Sequence, residues 1–189
     1  MQHIIKKKKY KGYEIQSMKY KIDRRRMDRI IKILKQCKSD IKRPYAIHLT
    51  IGLTDEHTLN ITELNESIRK EFKSSGIGII FNFEHAELKG FHLHLYLIFD
   101  KNKNTPYGTY LKIVKCLSSL AGIRLKKDNK NLDEPSINYH EGIEYDYHNL
   151  KNEEQFKDLI NRISYIAKID NQENLTRKRK FGALAYEHQ

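Results

Sequence analysis

The chain has 189 residues, enough to bury a sizeable core but cramped for two full domains. Hydrophobic residues make up 39% and charged residues 32%, with 3 Pro and 9 Gly, which excludes collagen-like, proline-rich and wholly disordered chains. The net charge of +12 points to a polyanion or an anionic surface as partner.

That charge is concentrated. Residues 1–43 hold 16 of the 36 Lys and Arg but 4 of the 24 Asp and Glu, so the whole excess lies there. Residues 1–22, with Lys6 to Lys9, read as a basic N-terminal arm, and Arg24, Arg25 and Arg26 extend it. Arg177, Lys178, Arg179 and Lys180 form a second run. Both runs suit phosphate contact, because Lys and Arg displace counterions condensed on a polyanion. No apolar run approaches the roughly 20 residues that cross a bilayer. The start, Met1 to Ile5 followed by four lysines, lacks a leader's apolar stretch. A cytoplasmic protein without membrane contact is expected. Cys37 and Cys116 show no CxxC spacing and read as core thiols.

Residues 23–39 place Met27, Ile30, Ile31, Leu34 and Cys37 at helical spacing behind Asp23, a suitable N-cap. In residues 45–53, Tyr45, Ile47, Leu49, Ile51 and Leu53 alternate with Ala46, His48, Thr50 and Gly52, which is a strand with one buried face. A helix is expected over 62–75, and strands over 77–84 and 91–99, joined by a turn around Lys89-Gly90. A helix over 110–120, a loop at 126–136, a strand over 137–143 and a helix over 153–168 follow. This order predicts an α+β domain over 23–182, with a largely antiparallel central sheet, helices on one face and an open polar face. Residues 183–189 read as a tail.

Chemistry concentrates on the strand at 91–99. Phe91, Leu93, Leu95, Leu97 and Phe99 share one face, so His92 and His94 stand together on the other. A bare HxH is common on strands that bind nothing, but the hairpin brings Glu84 onto the same face. Two imidazoles and a carboxylate suit a divalent metal, and Mn²⁺ or Mg²⁺ is expected. His48 and Thr50 fall on the corresponding face of the first strand and read as DNA contacts.

The last helix carries Tyr165 and, at i+3, Lys168. A phenol becomes a nucleophile when a cation favours its ionised form, and Lys168 would supply one. Tyr165 lies opposite the apolar stripe of Phe156, Leu159, Ile160, Ile163 and Ala167, a position over an open groove. Tyr139, Tyr145 and Tyr147 compete for the role.

Three features in order, Ala46-Ile47-His48-Leu49-Thr50, Glu84 ahead of His92-Leu93-His94, and Ser164-Tyr165-Ile166-Ala167-Lys168, resemble the three motifs of the HUH endonuclease superfamily. Residues 89–100, together with Tyr165-Ile166-Ala167-Lys168 and Arg179-Lys180-Phe181-Gly182, are similar to the inovirus-type and prophage replication initiators within it. The resemblance implies an HUH/Rep-like fold, a ferredoxin-like βαββαβ variant. It also implies a single-tyrosine initiator of rolling-circle replication that nicks and rejoins one DNA strand at an origin through a covalent 5′-phosphotyrosine. Carried over, Glu84, His92 and His94 hold the metal, Tyr165 attacks the phosphodiester and Lys168 assists. The substrate would be single-stranded or extruded origin DNA. No GxxxxGK[ST] loop occurs, so a host helicase, and a polymerase, would be partners. The rival readings are a non-catalytic nucleic-acid-binding regulator and a metal-dependent hydrolytic nuclease without a covalent intermediate.

Overall fold

The structure is a computed structural model that describes residues 3–87, 90–124, 137–139, 147–169, 175–176 and 180–186. Four short strands, β1 (Ile4–Ile5), β2 (Lys9–Tyr10), β3 (Tyr13–Glu14) and β4 (Ile22–Asp23), lead into helix α1 (Arg24–Asp40). Then come β5 (Pro44–Gly52), α2 (Ile61–Glu71), β6 (Ile77–Ala86), β7 (Gly90–Asp100) and α3 (Pro106–Ser118). The chain closes with β8 (Ile137–Tyr139), β9 (His148–Asn149), α4 (Glu153–Ile163), a 3₁₀ turn (Ser164–Ala167) and β10 (Phe181–Tyr186). Each helix starts where a side chain can accept an orphan backbone N–H. Asp23 caps α1 by accepting from the Arg26 N–H at 2.8 Å, and Asn60, Thr105 and Asn152 cap the other three.

The central sheet runs β10-β6-β7-β5-β8, with β9 also paired to β5, and every pairing is antiparallel. Register sets the chemistry. β6 and β7 pair Glu84 with His92 and Asn82 with His94, while β5 and β7 pair Thr50 with His94 and His48 with Tyr96. Directly paired residues point to the same face, so these six side chains and Tyr96 share one side of the sheet.

Helices cover both faces, which corrects the expectation of a sheet covered on one face only. On one face, Ile47, Leu49, Phe81, Phe83, Leu93, Leu95 and Leu97 pack with Leu64 and Ile68 of α2 and Ile113 and Leu117 of α3. On the other, Ala46, Ile80, Tyr96 and Ile98 pack with Met27, Ile30 and Leu34 of α1 and Phe156, Leu159, Ile160 and Ile163 of α4. The alternating residues of this second face are apolar at one end of the strands and polar at the other, and α1 and α4 bury the apolar end. Close approach of α1 depends on Gly78, where a Cβ would lie 2.6 Å from the Cys37 sulfur. Cys37 and Cys116 are both buried and free.

The basic N-terminal segment is packed against the domain. Ile5, Ile15 and Ile22 are buried, the Tyr13 ring meets Phe156 edge-on, and the Gln16 N–H donates to the Ser164 hydroxyl at 3.0 Å. At the other end, the expected tail from residue 183 includes most of β10, which pairs Phe181 to Tyr186 against Asn82 to Ile77. Small residues carry little strand signal, yet Gly182 is needed there: a Cβ would meet the Phe81 ring at 2.4 Å. The strand expected over 137–143 is described for Ile137–Tyr139 and otherwise lies outside the described residues.

Candidate metal and nucleophile site

Glu84 lies near the end of β6, and His92 and His94 lie on β7 across the hairpin. All three are buried, and one ligand atom from each lies within 4.8 Å of the others. The Glu84 Oε2 is 3.7 Å from His92 Nε2 and 3.6 Å from His94 Nε2. The opposite ring nitrogens are held in place. His92 Nδ1 lies 2.9 Å from the Gly90 carbonyl, where it donates, and His94 Nδ1 lies 3.0 Å from His48 Nε2 and 3.1 Å from Thr50 Oγ1. A ligating histidine is oriented through its second nitrogen in this way.

His94 Nε2 is buried and, among the described residues, has no hydrogen-bond partner. A buried polar atom left unpaired costs about 1–3 kcal/mol, and here it points toward Glu84. With the donor set of two imidazoles and a carboxylate, that orphan atom fits a divalent cation. The set does not select one metal, although it excludes the thiolate sites favoured by soft ions.

Two further groups reach the same carboxylate oxygen. Lys168 Nζ is 3.0 Å from Glu84 Oε2, and the Tyr165 hydroxyl donates to it at 3.1 Å. Lys168 is 1% exposed, and its ammonium sits 3.6 Å from the centre of the Tyr165 ring. The Asn82 amide donates to the other oxygen, Oε1, at 3.0 Å. Burial would raise the Glu84 pKa, but the facing imidazoles of His92 and His94 and the charge of Lys168 outweigh it. The carboxyl is therefore held well below its ordinary range. Burial pulls the His94 pKa down, against the opposing pull of Glu84. Tyr165 moves the other way: burial, then the negative charge of Glu84, push its phenol well above its ordinary value.

Tyr165 is not on the helix expected to run to residue 168. α4 stops at Ile163 and the next four residues tighten into the 3₁₀ turn, which changes the angle at which successive side chains leave the axis. This re-aims Tyr165 from over an open groove onto His94, whose ring it meets edge-on at 5.4 Å. Arg26 holds the turn by donating to the Lys168 carbonyl at 2.9 Å, and its guanidinium lies 5.5 Å over the Phe181 ring. Arg24 and Arg25 are exposed, and Arg25 pairs with His3 at 2.8 Å. Lys180 is half-buried beside β6, whereas Arg177, Lys178 and Arg179 lie outside the described residues. Among the competing tyrosines, Tyr147 packs on Tyr45 in the α2/α3 core, and Tyr145 and the Tyr139 side chain lie outside the described residues.

Sequence reasoning missed Tyr20, whose ring packs edge-on against Tyr165 at 5.1 Å, and the buried Lys168–Glu84 pair. Both depend on how the N-terminal segment and the 3₁₀ turn dock, and no local periodicity encodes that. No family model, curated protein or solved structure matches the chain. Among the described residues, no helix is long and apolar enough to cross a membrane.

Proposed function

We propose that the chain is an HUH-type DNA strand transferase, a ferredoxin-like βαββαβ variant that nicks and rejoins single-stranded or extruded origin DNA to initiate rolling-circle replication. One observation carries the reading: a phenol, an ammonium and two imidazoles converge on a single buried carboxylate oxygen. The succession β5-α2-β6-β7-α3-β8, with the strand order β6-β7-β5-β8, supports the fold assignment. When bound by Glu84, His92 and His94, Mn²⁺ or Mg²⁺ would offset the carboxylate charge and polarise a phosphodiester.

The protein's own groups divide the remaining work. Tyr165 gives up its proton and its oxygen bonds to phosphorus, while the bond from phosphorus to the 3′ oxygen breaks and that oxygen takes up a proton as a free hydroxyl. Lys168 places a positive charge beside the phenol, favouring its ionised form against the opposing charge of Glu84. His48 and Thr50 hold His94 by its Nδ1, and Arg26 holds the backbone of the turn. The 5′-phosphotyrosine keeps the energy of the broken bond, so attack by a 3′ hydroxyl rejoins the strand without ATP. Unwinding and synthesis then fall to a host helicase and polymerase.

The test is a denaturant-resistant protein–DNA adduct formed from single-stranded oligonucleotides and Mn²⁺. The adduct should be lost in Tyr165→Phe and fall by several powers of ten in rate in His92→Ala/His94→Ala. Cleavage with no adduct would make the protein a hydrolytic nuclease. Metal-independent binding without cleavage would make it a regulator.

A further inference from the structure

We infer that the groove formed by the N-terminal segment, next to the Tyr165 turn, is the track along which single-stranded DNA approaches the nucleophile; the inference rests on the strand-transfer reading. A cavity of about 650 Å³ opens there, lined by Ile4, Lys6, Met18, Lys19, Tyr20 and Lys21 among others. Lys6, Lys19 and Lys21 are exposed. Met18 is 75% exposed, one of three large hydrophobic side chains so placed among the described residues. An apolar side chain held in water among lysines does nothing for the fold, but it is the surface an unstacked base would cover.

The groove is joined to the site. Tyr20 is at once its wall and the neighbour of Tyr165, and the Lys168 ammonium lies 5.2 Å from the centre of the Tyr20 ring. The wall is fastened to the turn by the bridge between Ile22 and Lys168 and by the Ile169 N–H, which donates to the Lys21 carbonyl at 3.0 Å. A single strand presents phosphates and bare base faces together, which matches lysines interleaved with Met18 and Tyr20, and the strand-transfer reading makes that strand DNA. Duplex DNA hides its base faces, and a flat anionic bilayer does not fit a concavity.

The experiment measures binding of a fluorescent single-stranded oligonucleotide to the full chain in the Tyr165→Phe background, without divalent metal, across a salt series. Lys6→Ala/Lys19→Ala should weaken binding several-fold and flatten the plot of log affinity against log salt by about 1.4, at about 0.7 for each phosphate no longer neutralised. Met18→Ser should weaken binding with the slope unchanged. All three side chains are exposed, so the fold is not at stake. Lys112→Ala/Lys115→Ala, on the α3 side of the sheet, removes equal charge and should leave binding unchanged. The inference is overturned if both lysine pairs weaken binding alike, or if duplex DNA or anionic vesicles bind better than the single strand. Because nothing is cleaved, these results are independent of the adduct assay: a groove without an adduct removes the strand-transfer reading alone, and an adduct insensitive to Lys6, Met18 and Lys19 removes the groove alone.

Discussion

Glu84 is where the charges of the site balance. Its carboxylate, 1% exposed, faces the equally buried ammonium of Lys168. Glu84→Gln removes the anion and leaves that ammonium uncompensated, and breaking a buried pair in this way costs about 3–5 kcal/mol of stability. Lys168→Met also destabilises, but it leaves a carboxylate that still accepts from Asn82 and Tyr165 and is open to a cation. Denaturant unfolding with Mn²⁺ at one hundred times its dissociation constant should therefore recover about 2.7 kcal/mol in Lys168→Met, and little in Glu84→Gln. An equal recovery in both variants would show that the cation does not use this carboxylate. The clustering of Glu84, His92 and His94 is legible in the sequence because alternation along a strand fixes which face a side chain takes, and the hairpin turn brings the two strands together. The burial of Lys168 does not follow from alternation, since the distant neighbours of that ammonium, Glu84 and Tyr20, come from segments 84 and 148 residues away in the chain.

Among the elements, β9 and α4 are clasped by His148, whose Nε2 lies 2.8 Å from Asp158 Oδ2; Asp158 also accepts from Arg162 at 2.6 Å. Burial lowers the His148 pKa below its ordinary 6.5, and the pull of Asp158 the other way does not overcome it. A histidine with a lowered folded pKa resists protonation in the native state. Its stabilising effect is complete above the unfolded pKa and is lost as pH falls through 6.5 and below. Denaturation midpoints taken from pH 8 to pH 5.5 should therefore fall more steeply in the parent chain than in His148→Gln, and the comparison cancels His94, whose pKa is lowered in both. Parallel curves would remove His148 as the cause. The α1 start at Asp23 and the β6–β7 hairpin are legible because caps and alternation are local signals. The end of α4 is not: the apolar spacing continues from Ile163 to Ala167, yet Ser164 to Ala167 form a 3₁₀ turn in which Ile166 and Ala167 are buried with α1 and the sheet.

For the molecule as a whole, the two helical layers were hidden for a simple reason. Polar His48, Thr50, Asn82 and Glu84 make one sheet face look solvent-facing, whereas Ala46, Ile80, Tyr96 and Ile98 further along the same strands are covered by α1 and α4. The N-terminal segment completes that second layer. Were it a free basic arm, deleting residues 1–16 would weaken DNA binding and leave the melting temperature unchanged. The packing argues otherwise. Ile5 and Ile15 are buried, and Gln16 is tied by its N–H to Ser164 and by its side-chain amide to the Asn161 carbonyl. Losing the burial of two isoleucines, at about 1.5–3 kcal/mol each, should cost about 3–6 kcal/mol and lower the melting temperature by many degrees in calorimetry. The damage should centre on α4 and the turn that carries Tyr165, so hydrogen exchange should speed up there first, while the α2/α3 core on the far face keeps its protection. A deletion that melts with the parent chain would show that the segment is an appendage and that the turn is held by Arg26 and by the contacts of Tyr20, Lys21 and Ile22.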